Sequence, residues 1–298
     1  MTNIFWPVFK NLEEEMNRLM FNIHIDDNQL NVYSSKIADL ILRAATEIES
    51  LSKELYVSNG GTKSENIKYD HDALKYLDKI WSIDKKLVII SSYNCFQSNR
   101  IIEPFKKKEN RSGSNKKTYG WNNSYQNLKH DRANSLEYGS ATYLFDIMAA
   151  LFVLNLYYKD DSYELGKDSI SSNFDPQVGS TIFSIKLHKS QSINMTGGFN
   201  KDADFEECTF LVKPTDKATE YLTKTIEEIN EENKQIKMNK LVEQFKSEKF
   251  STAEEAIKLL KDKAQQKQPD NFNNLLVQRI SEINKELNFE AVLNKNQF

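Results

Sequence analysis

An ionisable cluster lies in the middle of the chain, where His130 stands between Lys129 and Asp131. The imidazole titrates near neutral pH, so His130 could act as a general acid or base. Asp131, Lys129 and the nearby Asn127 could orient that ring or hold a phosphate group. The same side chains could instead form a structural polar network that joins helices, and the sequence leaves both interpretations open.

Helical periodicity divides this stretch into two faces. At 100° per residue, one side of the helix carries Trp121, Tyr125, Leu128 and Arg132, and the opposite side carries Asn127, His130 and Asp131. The large aromatic side chains indicate that the first side is buried. Arg132 would then be carried inward, and a buried guanidinium needs a carboxylate, for which Glu47 or Glu54 is the candidate.

A basic segment lies directly upstream of this helix. Its six cationic side chains are Lys106, Lys107, Lys108, Arg111, Lys116 and Lys117, with Glu109 as the single acid among them. As a flexible loop, it could deliver an RNA backbone to the His130 face. Lys129 would add a further cation, and Tyr125 a ring on which a base could stack. A solvated loop and aromatic side chains buried in the core are the alternatives.

Composition and motifs exclude several functional classes. Hydrophobic residues make up 39% and charged residues 28%, which is typical of a soluble globular protein, and a net charge of −3 gives no general attraction to nucleic acid. The sequence has no Gly-rich phosphate loop, which argues against nucleotide hydrolysis of the P-loop type. Cys95 and Cys208 lack a zinc-ligand spacing, so we predict reduced thiols, no metal site and no cofactor.

We expect a cytoplasmic protein without a membrane span. No apolar run reaches the roughly 20 residues that a bilayer requires, and the run 143–154 contains Asp146. The first residues also lack a basic region followed by an apolar stretch, so no signal peptide is expected.

The predicted fold is mainly α, an antiparallel helical bundle around the apolar stretch 121–158. Helical periods cover 5–24, about 34–56, 71–82 and 121–158, while 87–90, 101–105, 181–187 and 209–212 have the character of strands. We predict three regions. Residues 1–160 form the bundle with a short β and basic-loop insertion at 85–118, 161–216 form a small antiparallel β region, and 217–298 form a charged helical C-terminal extension.

The run Tyr125-Gln126-Asn127-Leu128-Lys129-His130-Asp131-Arg132, followed by an alanine- and leucine-rich helix, resembles uncharacterised bacterial proteins with a HEPN-like helical bundle. The resemblance covers roughly residues 8–215, in patches. It implies a dimeric, metal-independent ribonuclease of toxin–antitoxin, abortive-infection or CRISPR systems. The family signature is an Arg followed a few residues later by a His. In this chain the signature is matched literally only from Arg18 to His24, with mostly apolar residues between them. In the central cluster the order is reversed, because His130 precedes Arg132.

Because of that reversed order, no catalytic role is carried over from the family by motif. We predict an antiviral defence protein that cleaves or binds RNA at His130, Asp131, Arg132 and Asn127 together with Glu47. The alternative is a non-catalytic scaffold subunit of a multi-protein defence system, in which the C-terminal helices bind a partner protein.

Overall fold

A long apolar helix lies at the centre of the fold. The structure is a computed structural model, and it describes residues 3–90, 96–109, 117–169, 172–189, 201–247, 252–255, 257–258 and 272–297. The helices are α1 (Phe5–Asn22), α2 (Ser35–Ser58), α3 (Leu74–Trp81), α4 (Gly120–His130), α5 (Ala141–Lys159), α6 (Asp216–Ser247) and α7 (Phe272–Glu286). The chain forms two compact units. The first comprises 1–165, 169–213 and 291–298, and the second comprises 166–168 and 214–290.

Helix α5 is the core of the first unit, as its nearly uniform apolar sequence predicts. It is buried on almost every side, and α1, α2 and α4 all pack against it. By length and composition alone α5 could cross a membrane, but 78% of the relevant stretch is buried inside the protein. Burial of this extent is typical of the core helix of a helical bundle.

Local sequence signals set the ends of the surrounding helices. The Ser34 hydroxyl accepts a hydrogen bond from the amide of Ile37 at 3.2 Å and caps α2. Pro7 lies in the first turn of α1, where a missing amide hydrogen costs nothing. Helix α3 follows a π-helical turn, and its last residue, Trp81, stacks on Tyr157 of α5 with ring centroids 4.4 Å apart.

Short strands form three small sheets. The strands are β1 (Val88–Ile90), β2 (Arg100–Ile102), β3 (Lys107–Glu109), β4 (Lys117–Tyr119), β5 (Tyr163–Gly166), β6 (Phe183–Ile185), β7 (Leu187–His188), β8 (Phe210–Pro214) and β9 (Phe289–Leu293). Strand β1 pairs antiparallel with both β2 and β6, and β3 pairs antiparallel with β4. A third sheet has the order β5-β9-β8-β7.

Three predictions about these strands need correction. The segment 106–117 is not simply a loop, because its two ends pair as strands β3 and β4. The strands predicted within 161–216 do not form a single antiparallel sheet: β6 joins β1, whereas β7 pairs with β8 in parallel. The C-terminal extension is not helical to its end, since β9 pairs inside the third sheet. Each error concerns a long-range pairing that local patterns do not encode.

In the second unit, helices α6 and α7 pack on each other. The Arg279 guanidinium joins them through Glu228 at 3.3 Å and Glu232 at 2.6 Å. The unit nevertheless exposes apolar side chains on both helices, with Met238 60% and Val277 65% exposed.

Candidate functional site

The predicted ionisable cluster lies at the C-terminal end of α4. The aromatic side of this helix is buried as predicted, with Trp121, Tyr125 and Leu128 each less than a tenth exposed. Helix α4 ends at His130, and the backbone of Asp131 is no longer helical. The Asp131 carboxylate accepts two hydrogen bonds from the side-chain amide of Asn134, and the Asn134 backbone amide donates to the Asp131 carbonyl at 3.3 Å in the turn that follows.

The early helix end overturns the predicted burial of Arg132. Arg132 lies in the turn after α4, and its side chain is 41% exposed. Its guanidinium donates to the Ser35 carbonyl at 3.1 Å and lies 2.9 Å from the Asp39 carboxylate. The partner therefore comes from α2, as predicted, but it is Asp39 and not Glu47 or Glu54.

The remaining predicted catalytic side chains make separate contacts. The Asn127 amide donates to the Asn123 carbonyl at 2.8 Å, and the Lys129 ammonium lies 5.3 Å from the centre of the Tyr125 ring. His130 and Asp131 are exposed. Within the described ranges, no hydrogen bond or ion pair joins His130 to Asn127, Asp131 or Glu47.

Glu47 is a half-buried carboxyl on α2. Burial raises its pKa, and the nearby Arg43 guanidinium partly offsets that rise. Its catalytic role stays a prediction, as does that of the His130 cluster.

A polar cleft at the opposite end of α4 is a stronger candidate. It has a volume of about 480 Å³ and lies where α4 and α5 begin, beside the β3–β4 hairpin. Its lining consists almost entirely of amide, hydroxyl and ionisable side chains: Asn31, Tyr33, Lys108, Glu109, Thr118, Asn123, Glu137, Ser140, Thr142, Tyr143 and Asp146, with Gly120. Such a surface offers hydrogen-bond donors and acceptors to a polar ligand.

Backbone hydrogen bonds hold one wall of the cleft in place. The Ala141 amide donates to the Val32 carbonyl and the Thr142 amide to the Leu30 carbonyl, both at 2.9 Å. The extended segment before α2 is thereby fixed against the first turn of α5. Tyr33 remains 54% exposed on this wall. A fixed, exposed ring is a suitable platform for a planar ligand.

Asp146 provides the acid–base group of the cleft. It lies on α5, with its Oδ2 atom 3.4 Å from the place where a Cβ on Gly120 would be. Gly120 is the first residue of α4, so a larger residue there would crowd the carboxyl. Burial raises the pKa of Asp146, while Lys108 and Arg100 partly offset the rise. A carboxyl with a raised pKa is better able to exchange a proton near neutral pH.

The basic hairpin meets the cleft at Lys108. On β3, the neighbouring Lys107 ammonium lies 5.3 Å from the centre of the Tyr119 ring, and all of Lys106, Lys107 and Lys108 are exposed. Lys117 on β4 is the register partner of Glu109. The base of the hairpin is fixed because the Trp121 indole donates to the Pro104 carbonyl at 2.8 Å. Of the predicted RNA-binding residues, Arg111 and Lys116 lie outside the described ranges.

The local sequence patterns did not predict this cleft, although one residue indicated it. Asp146 is a single carboxyl in a helix that is otherwise almost entirely apolar. Burial of a carboxylate costs free energy unless a partner compensates it, so such a residue indicates a polar site. Periodicity cannot show that the first turn of α5 lies beside the first turn of α4. Their contact depends on residues 131–140, which return the chain from the end of α4 toward its start, where the Ser124 hydroxyl donates to the Tyr138 carbonyl at 2.7 Å.

Comparison with protein-family models, with curated proteins and with solved structures found no match. The HEPN-like identity of the bundle therefore stays a prediction. The expected homodimer and the cytoplasmic location stay predictions for the same reason.

Proposed function

We propose that the protein binds single-stranded RNA, with one base in the cleft beside Asp146 and the phosphate backbone along the β3–β4 hairpin. The observation that carries the proposal is the position of Lys108, which belongs both to the basic hairpin and to the lining of the polar cleft. Phosphate groups bind lysine ammonium groups irrespective of sequence, whereas base edges require the amide and hydroxyl groups found in the cleft.

The cations of the site lie on the hairpin, where Lys106, Lys107 and Lys108 are exposed, while Glu109, Glu137 and Asp146 line the cleft. The phosphate backbone would therefore follow the hairpin, and the cleft would receive a base, which is uncharged. Tyr33 offers an exposed ring for stacking, which typically contributes about 1–3 kcal/mol per base. The resemblance to HEPN proteins supports the same class of ligand and a role in antiviral defence.

Cleavage of the bound RNA is the chemistry that suits this cleft. The RNA 2′-oxygen attacks the adjacent phosphorus, a base removes its proton, and an acid protonates the leaving 5′-oxygen. In this proposal Asp146 would serve as the acid and Glu137, which lines the same cleft, as the base. The Lys108 ammonium would stabilise the added negative charge on the phosphate.

Binding is tested by fluorescence anisotropy with a labelled single-stranded RNA over a series of salt concentrations. The double variant Lys107→Ala/Lys108→Ala should bind about tenfold or more weakly at low salt. Because two phosphate contacts are lost, the slope of log Kobs against the logarithm of the salt concentration should become less negative by about 1.4. Lys224→Ala/Lys234→Ala removes the same charge from exposed positions on α6 and is the matched control.

Equal affinities of these two double variants would contradict the proposal. A second comparison probes the cleft itself: Tyr33→Ala should weaken binding, whereas Tyr33→Phe should not, because the phenylalanine ring still stacks.

Cleavage is measured with the same RNA under conditions in which the protein is in excess. Asp146→Asn should slow cleavage by about 100-fold or more, since it removes the exchangeable proton. Its affinity for an RNA that carries 2′-deoxyribose at the cleavage site should be unchanged. If His130→Ala abolishes cleavage while Asp146→Asn does not, the active site is the sequence-predicted cluster and not the cleft.

A second candidate function is a scaffold that binds a helix of a partner protein through the second unit. Exposed apolar side chains lie four residues apart on α6, at Met238 and Val242, and three apart on α7, at Val277 and Ile280. These spacings form stripes of the kind that pack against another amphipathic helix. Failure of the unmodified protein to bind RNA at low salt would favour this function.

A further inference from the structure

A second constellation of ligating side chains lies in the first unit, in the loop that leads into β8. His188 on β7 is only 1% exposed, and the edge of its ring faces Phe205 at a centroid distance of 5.4 Å. Asp202 and Asp204 lie in this loop, separated by one residue, and both are partly exposed. The parallel pairing of β7 with β8 brings the histidine and the loop together.

The distances among these side chains match the size of a metal ion. One ligand atom from each of His188, Asp202 and Asp204 can be chosen so that all three lie within 4.8 Å of one another. The Nε2 atom of His188 is 3.8 Å from the Oδ1 atom of Asp204, which is too far for a hydrogen bond. Two ligand atoms that each lie at the zinc–nitrogen or zinc–oxygen distance are about 3.4 Å apart in a tetrahedral site.

Neighbouring groups orient the ligands. The Oδ2 atom of Asp204 lies 3.4 Å from the Lys186 ammonium, which also donates to Glu207 at 2.6 Å. This contact leaves Oδ1 of Asp204 on the side of His188. A contact of this kind, from a group that does not itself touch the metal, fixes the direction of a ligating carboxylate.

The loop that carries the two carboxylates is itself held by hydrogen bonds. The Phe205 amide donates to the Asp202 carbonyl at 3.1 Å, and the Glu207 amide donates to the Asp204 carbonyl at 3.0 Å. The buried Asn294 amide group donates to the carbonyls of Phe205 at 2.6 Å and Cys208 at 3.1 Å. The backbone that carries Asp202 and Asp204 is therefore held in place.

We propose that His188, Asp202 and Asp204 bind one divalent transition-metal ion, with Zn²⁺ as the best-matched ion. One imidazole and two carboxylates are ligands that zinc accepts, whereas calcium and magnesium sites consist of oxygen ligands alone. The three side chains leave a coordination position for water or a ligand. No metal site was predicted from the sequence, because Cys95 and Cys208 lack a zinc-ligand spacing, and the three ligands proposed here match no common metal-binding motif.

Isothermal titration of EDTA-treated protein with ZnCl₂ tests the proposal. The unmodified protein should bind one Zn²⁺ per chain, and binding should raise the unfolding midpoint by several degrees. Asp204→Asn should weaken Zn²⁺ binding by about 100-fold or more, since an amide is a poor substitute for a ligating carboxylate. His130→Ala removes an exposed histidine elsewhere and should bind Zn²⁺ like the unmodified protein.

His188→Ala could fail to fold because the ring is buried, so Asp202→Asn serves as the second variant at a partly exposed position. Co²⁺ substitution provides a readout that stability does not affect, because its visible absorption reports the ligand geometry. The proposal is overturned if the unmodified protein binds no Zn²⁺ at micromolar concentration. It is equally overturned if Asp202→Asn and Asp204→Asn, both folded, retain unchanged affinity and an unchanged cobalt spectrum.

Discussion

Replacement of Glu13 by alanine should lower the free energy of unfolding by about 3 kcal/mol, because the lost carboxylate leaves a buried hydroxyl without its acceptor. Glu13 lies on α1 and is only 1% exposed. Its carboxylate accepts hydrogen bonds from the Ser180 hydroxyl and, at 3.1 Å, from the Thr181 amide, and it pairs with the Lys10 ammonium.

This carboxylate connects α1 to the start of β6. Ser180, which donates to Glu13, accepts hydrogen bonds from the amides of Ile182 at 3.1 Å and Phe183 at 2.8 Å. Lys10 also donates to the Gly179 carbonyl at 2.9 Å. Removal of the carboxylate therefore loosens both the turn before β6 and its attachment to the helix.

Urea denaturation of two further variants separates the buried interaction from an ordinary surface pair. Glu13→Gln keeps the shape and one acceptor oxygen, so its loss should be about 1 kcal/mol. Arg132→Ala breaks the pair with Asp39, whose partners are 41% and 56% exposed, and should cost less than about 1 kcal/mol. A smaller loss for Glu13→Ala than for Arg132→Ala would show that the Glu13 network does not stabilise the fold.

The buried Lys86 should give the protein a distinctive dependence of stability on pH. Lys86 is 0% exposed, and its ammonium donates to the Glu206 carbonyl at 2.8 Å. Burial lowers its pKa to about 8, an effect that nearby Cys208, Glu206 and Asp84 partly offset. In the unfolded chain the same amine keeps its proton up to a pH of about 10.4.

The difference between the folded and unfolded pKa of Lys86 determines how the stability changes with pH. Between pH 8 and 10 the unfolded chain binds more protons at this lysine than the folded protein does, so the stability cost of burying the protonated Lys86 is relieved and the protein becomes more stable as the pH rises. The growth is about 1.4 kcal/mol per pH unit, or about 2–3 kcal/mol over this interval. Burial also raises the pKa of the Cys208 thiol to about 12, which acts in the opposite direction.

A comparison of the unmodified protein with Lys86→Met isolates the lysine from Cys208 and from the buried tyrosines. Free energies of unfolding are measured by urea titration at pH 7.5, 8.5 and 9.5 in the presence of EDTA. The stability difference between the two proteins should shift in favour of the unmodified protein as the pH rises. A difference that stays constant over this range would mean that the folded protein keeps Lys86 protonated.

Local sequence patterns were sufficient for most of the helices and for the identity of the core. The uniform apolar sequence of α5 predicted its central position, and the helical period from about residue 34 predicted the start of α2, because burial and periodicity depend on residues close in the chain. The same reasoning placed Trp121 and Tyr125 inside and Asn127 at the surface side of α4.

The sequence alone determined a mainly helical protein with a buried central helix and a basic segment beside an ionisable cluster. Only the tertiary structure decided where α4 ends, that Arg132 pairs with Asp39, and that Asp146 meets Lys108 in a cleft. The distant His188 and Asp204 also come together only through the parallel pairing of β7 and β8. Helix periodicity and caps act over a few residues, whereas these contacts depend on chain reversals and strand registers that many local sequences permit equally well.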